Sequence, residues 1–174
     1  EEHLRLVIQH RPEFFRFVKG SGHLISSNEI ELVTESGKEK VIAENIIIAT
    51  GSRPRKIPSI AIDEDIIMTS DGISSLEEFP ESLVILGAGV IGCEFATIFS
   101  NFQKTKVHLI CKDDRILPFE DLDLAQVIES NLESNGVLIH RESKLEKMEI
   151  VDGKVEYILV HPDGRKEVFH AGKA

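Results

Sequence analysis

Three glycines at Gly87, Gly89 and Gly92, in the pattern Gly-x-Gly-x-x-Gly, follow the apolar run Leu83–Leu86 and open an apolar stretch with helical spacing. Residues of this type in this order are suited to holding a phosphate. Gly87 permits a tight turn, Gly89 lets the backbone approach a pyrophosphate, and Gly92 lets a helix lie close to a sheet. The backbone N–H groups of Ala88, Val90 and Ile91 fall in the same turn, where the positive end of the following helix faces an anion. The motif by itself is unspecific. Its context supplies the meaning: a strand precedes it, a helix follows, and a second apolar strand at Val107–Cys111 completes a βαβ unit. The stretch therefore reads as a dinucleotide site. In such sites an acidic residue ~20 positions into the motif takes the ribose hydroxyls. Here that place is held by Cys111, with Lys112 beside it and Asp113 and Asp114 next, so NAD is expected and NADP stays open. Glu94 is the one charged residue between Ser82 and Gln103. It either faces a site or partner or reaches solvent at the helix edge, since an unpaired buried carboxylate is costly.

The elements that must position this turn can be read on either side of it. Pro12 divides a possible helix end from a strand expected near Phe14, and Gly20-Ser21-Gly22 reads as a turn. The segments His23–Ser26, Glu29–Thr34 and Glu39–Ile42 read as a β-meander, and Asn45–Ala49 as a buried parallel strand ending at Thr50-Gly51-Ser52. Residues 57–68, set off by Pro54 and Pro58, lack helical periodicity and read as a linker. Thr69 to Pro80 suggests a capped helical turn with a proline stop. In the motif helix, Ile91, Phe95, Ile98 and Phe102 form the stripe expected to face the sheet. Asp123 with Gln126 resembles a capping box, and Leu124, Val127, Ile128 and Leu132 are the expected buried face of a helix that Gly136 ends. Val137–His140 follows as a third parallel strand, with His140 expected to be structural. Two Asp-Gly turns, at Asp152-Gly153 and Asp163-Gly164, mark a second meander. The fold class is α/β: a Rossmann-like three-layer nucleotide-binding domain with a parallel sheet and β-meander, plus part of a second nucleotide-binding domain.

Composition narrows the function classes. The chain has 174 residues, 41% of them hydrophobic, with 20 Lys and Arg against 30 Asp and Glu and a formal net charge of −10. That acidity, without a basic stretch, argues against nucleic acid and anionic membranes as partners. No apolar run approaches the ~20 residues of a membrane helix, and the opening Glu-Glu-His-Leu-Arg has no signal-peptide character, so a cytoplasmic location is expected. The two cysteines, Cys93 and Cys111, have neither redox nor metal-ligand spacing and read as buried free thiols; no metal site is expected.

With Thr50-Gly51-Ser52-Arg53-Pro54, Gly-Ala-Gly-Val-Ile-Gly-Cys-Glu-Phe-Ala at 87–96 and Arg115-Ile116-Leu117-Pro118 in this order, the chain resembles the flavoprotein (pyridine nucleotide) disulfide oxidoreductases, nearest to the dihydrolipoamide dehydrogenase branch. The resemblance runs along nearly the whole chain. It implies that 1–58 is the C-terminal part of an FAD-binding domain, 59–81 a crossover, and 82–174 an NAD(P)-binding domain lacking its last strand, which is expected just beyond Ala174. It also implies FAD contacts at Gly22, Thr50, Gly51 and Ser52, and nucleotide contacts from Gly87 through Gly92. Glu94 would lie near flavin and nicotinamide, and the Leu145 backbone near the adenine. The redox cysteine pair and the His/Glu acid–base pair of the family are absent, so no catalytic residue is assigned. The implied reaction passes electrons between a dithiol, flavin and NAD. The implied assembly is a homodimer that can join 2-oxo acid dehydrogenase complexes. A soluble transhydrogenase, a mercuric reductase, and a folded remnant that binds no nucleotide are the competing readings. A further expectation is that Ile46–Ala49, from the same or a neighbouring chain, fills the open sheet edge beside Leu83–Leu86.

Overall fold

The computed structural model describes residue 10 and residues 14–174. The helix end expected before Pro12 lies outside the described residues. Two compact units divide the chain, Glu1–Ser52 and Arg53–Ala174.

In the first unit, β1 (Ser21–Leu24), β2 (Glu29–Thr34) and β3 (Gly37–Ile42) form an antiparallel sheet in sequential order. Ser21 and Gly22 do not make the expected turn: they pair with Val33 and Leu32 inside the sheet, and residues 15–19 are irregular, so no strand begins at Phe14. Asn45–Ala49 is likewise not a strand. Its backbone is irregular, and Ile47 is 90% and Ile48 72% exposed. An apolar run becomes a buried parallel strand only where neighbouring strands satisfy its backbone and cover both faces.

The second unit is built on β4 (Ser82–Leu86), β5 (Lys106–Ile110) and β6 (Leu138–His140), all parallel, with α1 (Val90–Asn101) and α2 (Leu122–Ser134) as crossovers. An antiparallel meander, β7 (Lys144–Val151), β8 (Lys154–Val160) and β9 (Lys166–Ala171), covers the sheet's other face. Asp152 and Gly153 both have positive φ, 50° and 76°, as the two-residue turn between β7 and β8 requires. One core, including Leu83, Ala96, Phe99, Leu109 and Leu132, lies between sheet and helices; a second, with Val84, Ile110, Val155, Tyr157 and Leu159, lies between sheet and meander. These are the three layers the sequence implies.

Residues 57–68 are not a free linker: Ile67 is buried, Ile60, Ile62 and Ile66 pack on the second core, and Asp63 Oδ1 accepts the N–H groups of Asp65, Ile66 and Ile67. The helical turn expected after Thr69 is a 3₁₀ turn over Gly72–Ser75. The sheet edge beside β4 is also partly filled. Lys173 N–H donates to Ser82 O at 3.1 Å and Val84 N–H to Lys173 O at 3.0 Å, so the chain already runs parallel to β4 at Lys173. The pairing along this edge thus begins before Ala174 rather than beyond it, and the place beside Leu83 expected for Ile46–Ala49 is taken by Lys173.

The helices bury faces that only partly coincide with those expected. In α1, Gly92, Cys93, Ala96, Phe99 and Ser100 are buried, while Ile91, Ile98 and Phe102 are exposed and Phe95 is half-buried. A Cβ on Gly92 would fall 1.9 Å from Gly87 O, so the helix lies too close for Ile or Phe on that face. In α2, Ala125 and Leu132 are buried and Ile128 half-buried, but Leu124 and Val127 are exposed. The helix starts at Leu122 behind Asp121, and no side chain caps it, so Asp123 and Gln126 do not form a capping box.

Candidate functional site

The glycine turn joins β4 to α1 at the carboxyl end of the parallel strands, where open α/β sheets place ligands. Gly87 has φ 111° and donates its N–H to Ile110 O at 3.1 Å, which ties the turn to the neighbouring strand. Gly89 is the N-cap of α1, and no side chain hydrogen-bonds there. The leading N–H groups of the helix therefore keep their free direction toward a ligand. Gly89 and Gly92 differ in what surrounds them. A Cβ at Gly92 would strike the turn's own backbone, whereas a Cβ at Gly89 would meet nothing within 4 Å. Gly92 is required by the fold, and Gly89 leaves room above the turn that the fold itself does not use.

Two residues that fix this turn lie beyond the glycine pattern. Leu117, at φ 48°, donates its N–H to Ala88 O at 2.8 Å, and Arg115 holds the same loop through Pro118 O at 2.8 Å and Glu120 O at 3.1 Å. Ile116 and Leu117 are buried below it. The sequence signal for this clamp was the Arg-Ile-Leu-Pro run itself, whose spacing alone gives no hint that it closes on the glycine turn.

The other sequence-predicted residues fall in several places. Cys111 follows β5, donates its N–H to His140 O and accepts from Ser143 N–H, and its buried thiol reaches Arg115 O at 3.1 Å. Burial raises its pKa, and raises that of Cys93 to about 11, so both thiols stay protonated at neutral pH. Lys112 is exposed. Leu145 is the second residue of β7, two residues after Ser143, so the backbone bond from Ser143 to Cys111 sets the start of the meander beside the end of β5. Glu94 is exposed in a groove with Val90, Thr97, Ile98, Leu117 and Glu120 between the helices. A different cleft, of about 370 Å³, meets the turn at Gly87, Gly89 and Gly92 and follows β4. Its lining of Ile57, Ile60, Ile67 and Phe95 suits apolar packing rather than a pyrophosphate, for which the turn's N–H groups are the suitable donors. In the first unit Gly22 lies in β1, and Thr50, Gly51 and Ser52 lie in exposed irregular backbone. A Cβ on Gly51 would meet nothing within 4 Å and one on Gly22 only ordinary contacts.

Among the described residues no group of His, Cys, Asp and Glu is arranged to hold a metal, and no helix is long and apolar enough to cross a membrane.

Residues 4–171 match the family model described as pyridine nucleotide-disulphide oxidoreductase. The chain is 39% identical over 132 residues to a dihydrolipoyl dehydrogenase of Bacillus subtilis, covering 76% of this chain and 29% of that protein. It is 38% identical over 148 residues to a soluble pyridine nucleotide transhydrogenase of Pseudomonas paraeruginosa, covering 84% of this chain and 31% of that protein. Among solved structures, the HOCl-induced flavoprotein disulfide reductase RclA of Escherichia coli superposes with a TM-score of 0.67 at 26% identity, over 99% of this chain and 38% of its own. LpdA of Mycobacterium tuberculosis shares the fold, with a TM-score of 0.74 at 24% identity over 98% of this chain and 38% of its own. The chain thus spans less than a third of the length of these two curated relatives.

Proposed function

The chain belongs to the pyridine nucleotide-disulphide oxidoreductase family, and from that premise we propose that residues 82–174 form the NAD(H)-binding part of an FAD-dependent oxidoreductase of the dihydrolipoamide dehydrogenase type. The observation that carries the reading is the pair of unlike glycines. Gly92 draws α1 against the turn, and Gly89 leaves its uncapped end open. Bound there, the pyrophosphate would be held by the N–H groups of the turn from Ala88 to Gly92, with Gly87 shaping the turn through its bond to Ile110 O; Cys111 and Lys112 would meet the ribose, and the Leu145 backbone the adenine. The turn, clamped by Leu117, orients the nucleotide and needs no rearrangement to receive it. When bound, the nicotinamide and flavin supply the hydride chemistry; the protein contributes binding and orientation. Glu94, exposed on α1 in the groove between the helices, would approach flavin and nicotinamide only in a site completed by further segments. Residues 1–58 would be the end of an FAD domain, with Gly22, Thr50, Gly51 and Ser52 contributing to a flavin site that needs more than these residues. Residues 59–81 would be the crossover. A cytoplasmic homodimer that exchanges electrons with a dithiol, alone or in a 2-oxo acid dehydrogenase complex, is the corresponding whole-protein reading.

A second reading, a transhydrogenase-type flavoprotein that also handles NADP, is favoured by one observation: the ribose position carries the buried thiol of Cys111 beside the exposed Lys112, with no carboxylate at Cys111 itself. Calorimetric titration of the chain with NADH and with NADPH separates the two. Tighter binding of NADH supports the first, equal or tighter binding of NADPH the second, and no heat with either nucleotide at millimolar concentration overturns both.

A further inference from the structure

Between the parallel sheet and the meander lies a polar cluster that the nucleotide site does not use. His108 on β5 is buried, His140 ends β6, and Tyr157 on β8 is fully buried. His108 Nδ1 is 3.1 Å from His140 Nε2 and 3.1 Å from the Tyr157 hydroxyl. The two imidazole centroids are 5.3 Å apart with planes 15° from parallel. At that separation a 3.1 Å N–N contact requires the rings to meet edge to edge in nearly one plane, with a single proton shared between the facing nitrogens. Phe169 on β9 closes the cluster, 5.0 Å from His140 and 5.3 Å from Tyr157. The sheet thus supplies two imidazoles, and the meander supplies the phenol and the phenyl ring that cover them.

This arrangement is complete only while both imidazoles are neutral. Protonating one buries a cation, and protonating both sets N–H against N–H along the axis of the shared hydrogen bond. The neighbouring charged groups give no relief to His108: Lys106, on its own strand, disfavours a second positive charge there. On the His140 side, His161 of the meander opposes protonation and Glu167 favours it, but Glu167 Oε2 is already hydrogen-bonded to His161 Nε2 at 3.0 Å.

We propose that His108, His140 and Tyr157 form an acid-labile latch: protonation of the imidazole pair releases the β7–β9 meander from the β4–β6 sheet. The inference stands independently of what the glycine turn binds. Its pH window follows from burial, which lowers the pKa of His108 from 6.5 to about 4 and also lowers that of His140. A histidine whose folded pKa lies below its unfolded value contributes stability in full above the unfolded pKa and loses it as pH falls toward the folded one. The latch is closed at neutral pH and opens on acidification from 6.5 toward 4.

The chain reports on the latch directly, because Tyr157 is its only tyrosine and it has no tryptophan. The near-UV circular dichroism of Tyr157 is followed from pH 7.5 to 4, with far-UV dichroism recorded in parallel, for the wild type and for the His108→Gln/His140→Gln variant. In the wild type the tyrosine signal is expected to collapse with a midpoint between 6.5 and 4 while far-UV dichroism persists. The variant, whose amides hydrogen-bond without titrating, should keep the signal at least about one pH unit further into acid. A wild-type signal unchanged at pH 4, or the same midpoint in both proteins, overturns the latch. Where the variant does not fold, proton NMR of the wild-type imidazole rings decides. Midpoints for His108 and His140 clearly below 6.5, with Tyr157 resonances changing in step, sustain the proposal; midpoints at or above 6.5 refute it.

Discussion

The two β-meanders of this chain share an architecture but not a core. β1–β3 and β7–β9 are both three-stranded, antiparallel and sequential. In the first, no residue of any strand is buried; in the second, Met148, Val155, Tyr157, Leu159 and Ala171 are. Alternating hydrophobicity therefore marks which face of a sheet is available for burial, and only a second layer makes it a core. The β7–β9 sheet has that layer in β4–β6. The same contrast holds for the segment after each meander. Asn45–Ala49 is strongly apolar yet irregular, while Lys173, in the polar run Gly172-Lys173-Ala174, pairs in parallel with β4 because a strand with open donors and acceptors lies beside it.

Truncating a core residue should separate the meanders most. Leu159→Ala removes a side chain with no exposure and is expected to cost about 2–5 kcal/mol, read by urea denaturation of the second unit through Tyr157 fluorescence. Leu32→Ala, in the half-covered β2, should cost less than about 1 kcal/mol by hydrogen exchange of the first unit. Equal losses would break the comparison. A smaller effect is expected at Ile47, whose side chain is open to solvent: Ile47→Lys should change stability by no more than about 0.5 kcal/mol, and a drop in Tm of several degrees would show that the segment is packed after all.

What was legible in the sequence was local. Gly87 and the Asp152-Gly153 hairpin have backbone conformations that few residues adopt, and the strands beside the glycine turn are short, mostly apolar runs, so their residue types announce them. What was not legible depends on the partner of each surface. Two interleaved sets on α1 satisfy helical spacing, Ile91/Phe95/Ile98/Phe102 and Gly92/Cys93/Ala96/Phe99, and the more hydrophobic set is the outward one because Gly92 brings the axis too close to the turn for large side chains. The loop clamp at Leu117 and the His108–His140–Tyr157 cluster join residues far apart in the chain, and no spacing rule connects them. Counting along the motif points to Cys111 as the expected ribose position, but the inward direction of its thiol emerged only from its bond to Arg115 O.

The central claim, that the open space at Gly89 exists for a dinucleotide, is tested most directly by calorimetric NADH titration of Gly89→Ala beside the wild type. Gly89 has φ −80° and ψ −172°, which alanine adopts without strain, and its Cβ meets no protein atom, so the variant should melt at the wild-type temperature. NADH affinity should nevertheless fall at least about tenfold, because the new methyl group occupies the space of the phosphate. Undiminished NADH binding by a fully folded Gly89→Ala protein would contradict the account.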